Sequence, residues 1–314
     1  MSEASMSSQA LALAVPRRRR AFFRAGWGKQ LMLQAILIFI SFTVLLPLVW
    51  VVSMSLDPRN ISRPTELTLI PPGASLQAYQ DVLERPTSNP VSLIQLAFNS
   101  LGLAAGVSLG SLGLGVLAAY AFSRFKFPAR RALMIAIVAV LMVPSVAALA
   151  PLFVFLNKIQ VNSGDFSFNL RNSLLGVGLA LTSGALPFAI WNLKGYIDTI
   201  PKELEEAASL DGASPTQTFL RIMLPLATPA LAVTAFLGFL TGWTEFVMSW
   251  QFLTNPENFT LAMALWNITG QYAGNTPWSK FSAMAIIVAL PVSVVYLSLQ
   301  KYIVGGLTIG GVKG

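Results

Sequence analysis

The stretch Lys194-Gly-Tyr-Ile-Asp-Thr-Ile-Pro-Lys-Glu-Leu-Glu-Glu-Ala-Ala-Ser-Leu-Asp-Gly-Ala-Ser-Pro-Thr-Gln-Thr-Phe-Leu-Arg-Ile-Met-Leu-Pro225 is a polar interval between two long apolar runs. It reads as two short helices with a tight turn between them. Pro201 suits the opening of a helix, where its missing N–H costs nothing. Glu203, Glu205 and Glu206 then lie near the positive end of that helix. Leu204, Ala207 and Ala208 share one face at i, i+3, i+4 spacing. Gly212 supplies a stop without a Cβ penalty. Ser214 is a good N-cap, Pro215 fits the next position, and Gln217 completes a capping box. Pro225 marks the approach to the following apolar run. A passive connector needs none of this. The interval suits a rigid plug for a groove on another protein. A hairpin lying on lipid is the alternative, and its carboxylates, repelled by anionic lipid, argue against it.

The flanking sequence supplies the solvent. Of 314 residues, 54% are hydrophobic and 11% charged, against about 25% charged in soluble domains. One soluble core of this size cannot hide that much apolar surface, so a bilayer is the medium. Six runs approach the roughly 20 residues needed to cross it: Leu31–Met54, Leu93–Phe122, Ala132–Leu156, Ser173–Leu193, Leu226–Phe252 and Phe281–Ile303. None alternates with a strand period, and a lone helix satisfies its own backbone, so the expected class is all-α integral membrane. Pro144 and Pro151 are expected to break the third run, and Pro187 the fourth.

Basic residues orient the spans. With the N-terminus inside, 15 of the 21 Lys and Arg fall in cytoplasmic segments. They cluster at Arg17–Arg20, Arg24 and Lys29, at Arg124, Lys126, Arg130 and Arg131, at Lys194, Lys202 and Arg221, and at Lys301 and Lys313. The external segments hold Arg59, Arg63, Arg85, Lys158, Arg171 and Lys280. Both termini are therefore expected in the cytoplasm. The net charge of +8 reports this orientation, not nucleic acid. The expected organisation is a basic tail (1–30), a six-span region (31–303) and a cytoplasmic tail (304–314). External loops run over 55–92 and 253–280, and the cytoplasmic loop over 194–225. The first run is too long for a cleaved signal peptide, and residues 1–16 are expected to be disordered. The Pro-rich first loop (Pro58, Pro64, Pro71, Pro72, Pro86, Pro90) reads as ordered or extended. A short helix is expected near Leu261–Ile268.

The chain has no cysteine and no histidine, which excludes disulfides, thiol nucleophiles, thiolate or imidazole metal sites and a His-centred triad. It has no G-x-x-x-x-G-K-[ST] phosphate loop. A transport subunit without its own ATPase site is expected, with no cofactor or metal bound by this chain. A stand-alone ion-coupled secondary transporter is the competing reading, although Glu245 is the sole intramembrane carboxylate and inverted repeats are not evident. A membrane enzyme would lack any paired intramembrane carboxylate.

Glu206-Ala207-Ala208, Gly212, Ile222 and Leu224-Pro225 resemble the EAA signature of binding-protein-dependent ABC importer permeases. Asn99-Ser100, Leu117-Ala-Ala-Tyr-Ala-Phe-Ser-Arg124, Phe127-Pro128, Leu193-Lys-Gly-Tyr196 and the tail Gly306–Gly314 are similar to the carbohydrate permeases of MalG type. The resemblance covers nearly the whole chain. It implies the six-span MetI-like fold in a prokaryotic inner membrane and a maltose/maltodextrin-type oligosaccharide cargo. The implied partners are a MalF-like second permease, two MalK-like ATPases that bind ATP and Mg, and an extracytoplasmic sugar-binding protein. It makes Glu206, Ala207, Ala208, Asp211 and Gly212 the ATPase-docking core, with the tail Leu307–Gly314 reaching between the ATPases.

Other candidates come from burial chemistry. Glu245 is costly inside the fifth span. It either lines the sugar path with Trp243, Phe246 and Trp250 or serves a structural pair, while the aromatics also suit an interfacial belt. Trp266, Gln271, Tyr272 and Trp278, with Asn267 and Asn275, are candidates for meeting the binding protein, or form a belt with a polar loop. Gly102, Gly106 and Gly110 make a smooth strip suited to packing within this subunit or against a partner permease.

Overall fold

The computed structural model describes residues 27–59, 69–163, 166–269 and 276–310. The expectations for residues 1–26, for Arg63 and Pro64, for Gln271, Tyr272 and Asn275, and for residues 311–314 fall outside the described residues. The chain divides into two compact units, 1–49 and 50–314.

In chain order the helices are α1 (Trp27–Ser55), α2 (Gln77–Glu84), α3 (Leu93–Arg124), α4 (Arg130–Val140), α5 (Leu149–Asn157), α6 (Leu174–Ile197), α7 (Glu203–Leu210), α8 (Pro215–Thr218), α9 (Leu224–Leu226), α10 (Thr228–Trp243), α11 (Val247–Phe252), α12 (Leu261–Thr269) and α13 (Trp278–Gly310). Among the described residues, five segments are long and apolar enough to cross a bilayer: α1, α3, α6, Thr228–Phe252 and Trp278–Ile303. The third expected run is a sixth span only as a bent pair, since α4 and the segment Ser145–Asn157 meet at 96°. Pro144 has no N–H to continue the ladder, and it disfavours helical geometry at Val143. The chain leaves α4 through tightened i→i−3 bonds, such as Val143 N to Val140 O at 3.1 Å. Pro151, in the first turn of α5, breaks nothing. Pro187 does not break α6, contrary to expectation. The helix is continuous through it and Pro187 is buried.

Three departures concern loops. The first loop contains α2, whose buried Ala78 and Val82 join the core. Tyr79 Oη lies 2.8 Å from Ser55 Oγ. A hairpin, β1 (Gln160–Ser163) with antiparallel β2 (Phe166–Asn169), lies between α5 and α6; its strands are too short for a sequence pattern. Finally, the second helix of the 194–225 interval is not separate. From α8 the chain winds through a π turn (Phe219–Met223) and α9 toward α10. The wider turn relieves the clash that Pro225 would make with the preceding carbonyls.

The core of the second unit lies where α3 packs against α6 and α10, and α10 against α13. Glycine sets these distances. A Cβ on Gly242 would sit 2.6 Å from Ala104 Cα, and one on Gly238 2.9 Å from Ser108 Cα. Ser108 Oγ donates to Ala235 O at 2.7 Å, and Asn192 Nδ2 donates to Thr234 Oγ1 at 3.0 Å. Such bonds between helices hold where lipid supplies no partners. The glycine strip of α3 divides. A Cβ on Gly110 would meet Thr182 of α6, whereas Gly102 and Gly106 have nothing within 4 Å. Packing within this subunit thus accounts for Gly110 alone.

Gly242→Ala should therefore destabilise the chain in detergent by about 1–3 kcal/mol through overpacking. Gly106→Ala should leave its unfolding midpoint unchanged or slightly raised.

Candidate functional site

The 194–225 interval folds as its residues dictate. Gly212 adopts φ +85°. That lets Ala213 N donate back to Ala208 O at 2.9 Å and Gly212 N to Ser209 O at 3.1 Å, closing the last turn of α7. Ser214 Oγ accepts from Gln217 N at 3.3 Å, and Gln217 Oε1 accepts from Ser214 N at 2.8 Å. Both helix ends at the turn are satisfied internally, so its geometry does not wait on a partner.

One face of α7 is bolted to the end of α3. Arg124 and Glu205 form an ion pair, with side-chain exposures of 7% and 16%. Tyr120 Oη donates to the other Glu205 oxygen at 3.0 Å, and Arg124 Nη2 donates to Ile200 O at 2.9 Å. Ser123 Oγ donates to Asp198 Oδ1 at 2.6 Å, and Lys194 Nζ to Asp198 Oδ2 at 2.5 Å. Burial alone would raise the pKa of Asp198. The bonds from Lys194 and Ser123, with the charges of Lys194 and Arg124, outweigh burial and hold it below the usual carboxylate value. A depressed carboxylate stabilises the fold above its ordinary pKa and loses that contribution as the pH falls through the lowered one. Beneath, Leu193, Ile197, Ile200, Met223 and Ala227 form an apolar base with Val116 and Ala119 of α3.

This attachment decides which residues are free. Ala208, expected at the docking face, is 7% exposed and turned inward. It follows Glu205 by three positions and so shares its face. Glu206, Ala207, Asp211 and Gly212 are exposed, and Leu210 is 90% exposed. Among the described residues, Glu203, Glu206 and Asp211 form no ion pair. The face left open is acidic, with an apolar knob at Leu210.

At the opposite end of α3 the candidates separate. Trp243, expected on a sugar path, is 3% exposed. It stacks on Phe239 and donates from Nε1 to Val288 O at 3.1 Å. It is a core residue, because its ring fills the seam between α10 and α13. Glu245 is not inside a continuous helix. It stands at the break between α10 and α11, and its carboxylate accepts from Met248 N at 2.6 Å, Ser249 N at 2.8 Å and Ser249 Oγ at 2.5 Å. It satisfies the exposed donors of the α11 start, where its charge is also favoured. Phe246 lies 5.7 Å from Trp250 and 5.1 Å from Trp266 between ring centroids. Trp250 and Trp266 are 44% and 51% exposed. One aromatic ledge therefore joins residues that the sequence assigned to two separate roles. Trp278 begins α13 and meets Phe281 edge-on. Among the described residues no cluster of three His, Cys, Asp or Glu could hold a metal.

The sequence did not assign roles to Arg124, Glu205 or Asn99. Asn99 is buried, and its Nδ2 donates to Glu257 O at 2.6 Å and Phe259 O at 2.8 Å. Ser100 Oγ accepts from Leu261 N at 2.8 Å. Arg124 and Asn99 belong to motifs visible in the sequence, but their partners Glu205 and Glu257 lie 81 and 158 positions away.

With this geometry in hand, comparison with known proteins gives a consistent result. The family described as "Binding-protein-dependent transport system inner membrane component" matches residues 111–308. The galactooligosaccharides transport system permease protein GanQ of Bacillus subtilis (strain 168) is 34% identical over 279 residues, covering 89% of this chain and 94% of that one. The maltose/maltodextrin transport system permease protein MalG of Escherichia coli (strain K12) is 32% identical over 289 residues, with the same coverages. Among solved structures, a bacterial ABC transporter that imports the acidic polysaccharide alginate superposes with a TM-score of 0.70 at 23% identity, covering 88% of this chain and 98% of that one.

Replacing Arg124 by Met should cost about 3–5 kcal/mol by stranding a buried carboxylate. Adding Glu205→Met should recover much of that loss. Limited proteolysis between Lys202 and Arg221, with unfolding in detergent, reads both.

Proposed function

The chain belongs to the family of binding-protein-dependent transport system inner membrane components, as a MalG-type carbohydrate permease, and from that premise we propose how it works. It is a permease subunit of an ABC sugar importer. It forms one half of the translocation path beside a second, MalF-like permease, with both termini and α7 in the cytoplasm. Two MalK-like ATPases bind ATP and Mg and seat the open face of α7, with Glu206, Ala207, Asp211 and Gly212 at the contact. ATP binding closes the ATPases, α7 moves with them, and the spans turn toward the outside. There a sugar-binding protein delivers its cargo near Phe246, Trp250 and Trp266. Each ligand must favour one of the two states for this coupling to work.

The observation that carries this reading is the asymmetry of α7. One face is fastened to the spans by a buried ion pair, and the other presents unpaired carboxylates and Leu210 to a partner. The cargo we infer is an oligosaccharide of maltose/maltodextrin type. Aromatic faces beside few polar groups suit sugar rings, and the MalG relatives carry that name. The GanQ relative, slightly more identical, favours galactooligosaccharides as the second reading. Competition between unlabelled maltodextrins and galactooligosaccharides for uptake decides between them.

The chain lacks cysteine, so Asp211→Cys introduces a single thiol. That thiol should cross-link to the nucleotide-binding subunit in cells, and no capture would overturn the assignment. Glu206→Lys should insert normally but lower uptake about tenfold or more by repelling a basic groove. Uptake that persists without the ATPase and collapses with the ion gradient would favour a secondary carrier.

A further inference from the structure

Among the described span-length helices, α3 is the one with neither a proline nor a break. Pro47, Pro187 and Pro291 lie inside α1, α6 and α13, the third span bends by 96°, and the fifth is interrupted at Thr244–Phe246. α3 runs unbroken for 32 residues. Both its ends are tied to distant segments by side chains that are used up in doing so. At one end the amide of Asn99 spends both donor hydrogens on Glu257 O and Phe259 O, while its oxygen accepts from Gln95 at 3.1 Å. The neighbouring Ser100 holds Leu261 N, at the start of α12. At the other end Arg124 holds Glu205 and Ile200 O, with Tyr120 and Ser123 alongside. The two clamps stand about 38 Å apart along the axis at 1.5 Å per residue. Between them α3 is braced by close glycine contacts to α6 and α10.

We propose that α3 is the rigid member that couples the outer segment 256–269 to the coupling helix α7, and that Asn99 and Arg124 are positioning residues at its two ends. The proposal rests on the importer reading above. A helix without a hinge, clamped at both ends, cannot shift at one end without shifting at the other. Docking at the 256–269 segment then biases the position of α7, and closure of the ATPases on α7 biases the docking surface. Thermodynamic linkage makes these two effects equal in size. Asn99 is buried and its hydrogen bonds all fall within the chain, so its substitution removes the tie between α3 and the 256–269 segment.

The test uses the complete transporter in proteoliposomes, with its sugar-loaded binding protein. Two quantities are measured: stimulation of ATP hydrolysis by the binding protein, and the change in binding-protein affinity caused by a non-hydrolysable ATP analogue. Asn99→Ala should assemble, hydrolyse ATP at the wild-type rate without binding protein, and weaken both couplings, each by about tenfold. Asn99→Ser, which keeps one donor, should fall between. Stimulation at the wild-type factor in an assembled Asn99→Ala complex would overturn the proposal. So would failure of both variants to assemble, which would mark a merely structural role. Absence of stimulation in the unaltered complex would instead count against the importer reading itself.

Discussion

The buried pair of Arg124 and Glu205 is the constraint on which the 194–225 interval depends. Two charges withdrawn from water repay their desolvation only with good geometry and further hydrogen bonds. Here Tyr120 and the carbonyl of Ile200 supply them. Once that arrangement is made, α7 has no freedom to rotate, because any turn would strand a charge. The orientation of the pair thus selects which carboxylates of the first turn are spent inside the chain and which stay exposed. Glu205 is spent; Glu203 and Glu206 remain.

The bilayer imposes the second constraint, since backbone groups at membrane depth must find partners within the protein. The interrupted helices show how this is met locally. At the fifth-span break a carboxylate takes the two backbone donors that begin α11. Before Pro225 a π turn makes room where an α-turn would clash. Before Pro144 the ladder tightens, then stops. Among the described span-length helices, α3 alone has neither such a break nor an internal proline. Close glycine contacts let α6 and α10 approach it, while a Cβ on Gly102 or Gly106 would meet nothing within 4 Å.

What could be read in advance followed physical range. Composition and run length determined a helical membrane protein, because hydropathy acts residue by residue and needs no partner. Gly212, Ser214, Pro215 and Gln217 determined the turn between α7 and α8, because caps involve neighbours three or four positions apart. The short helix expected near Leu261–Ile268 is present as Leu261–Thr269. The sequence also marked Asn99-Ser100 and Tyr120–Arg124 as notable, but not what they hold.

Tertiary structure alone decided the contacts that cross the chain. Helical periodicity places Ala208 and Ala207 on adjoining faces and does not say which one is covered. The ion pair of Glu205 with Arg124, 81 positions away, decides that Ala208 is buried and Ala207 free. Trp243 looked like a path-lining aromatic until α13 closed over it. Glu245 looked like a costly intramembrane charge until a helix break brought backbone donors to it. Local sequence encodes propensity and capping. Which face of an element is covered depends on charges and rings that meet only when distant segments pack.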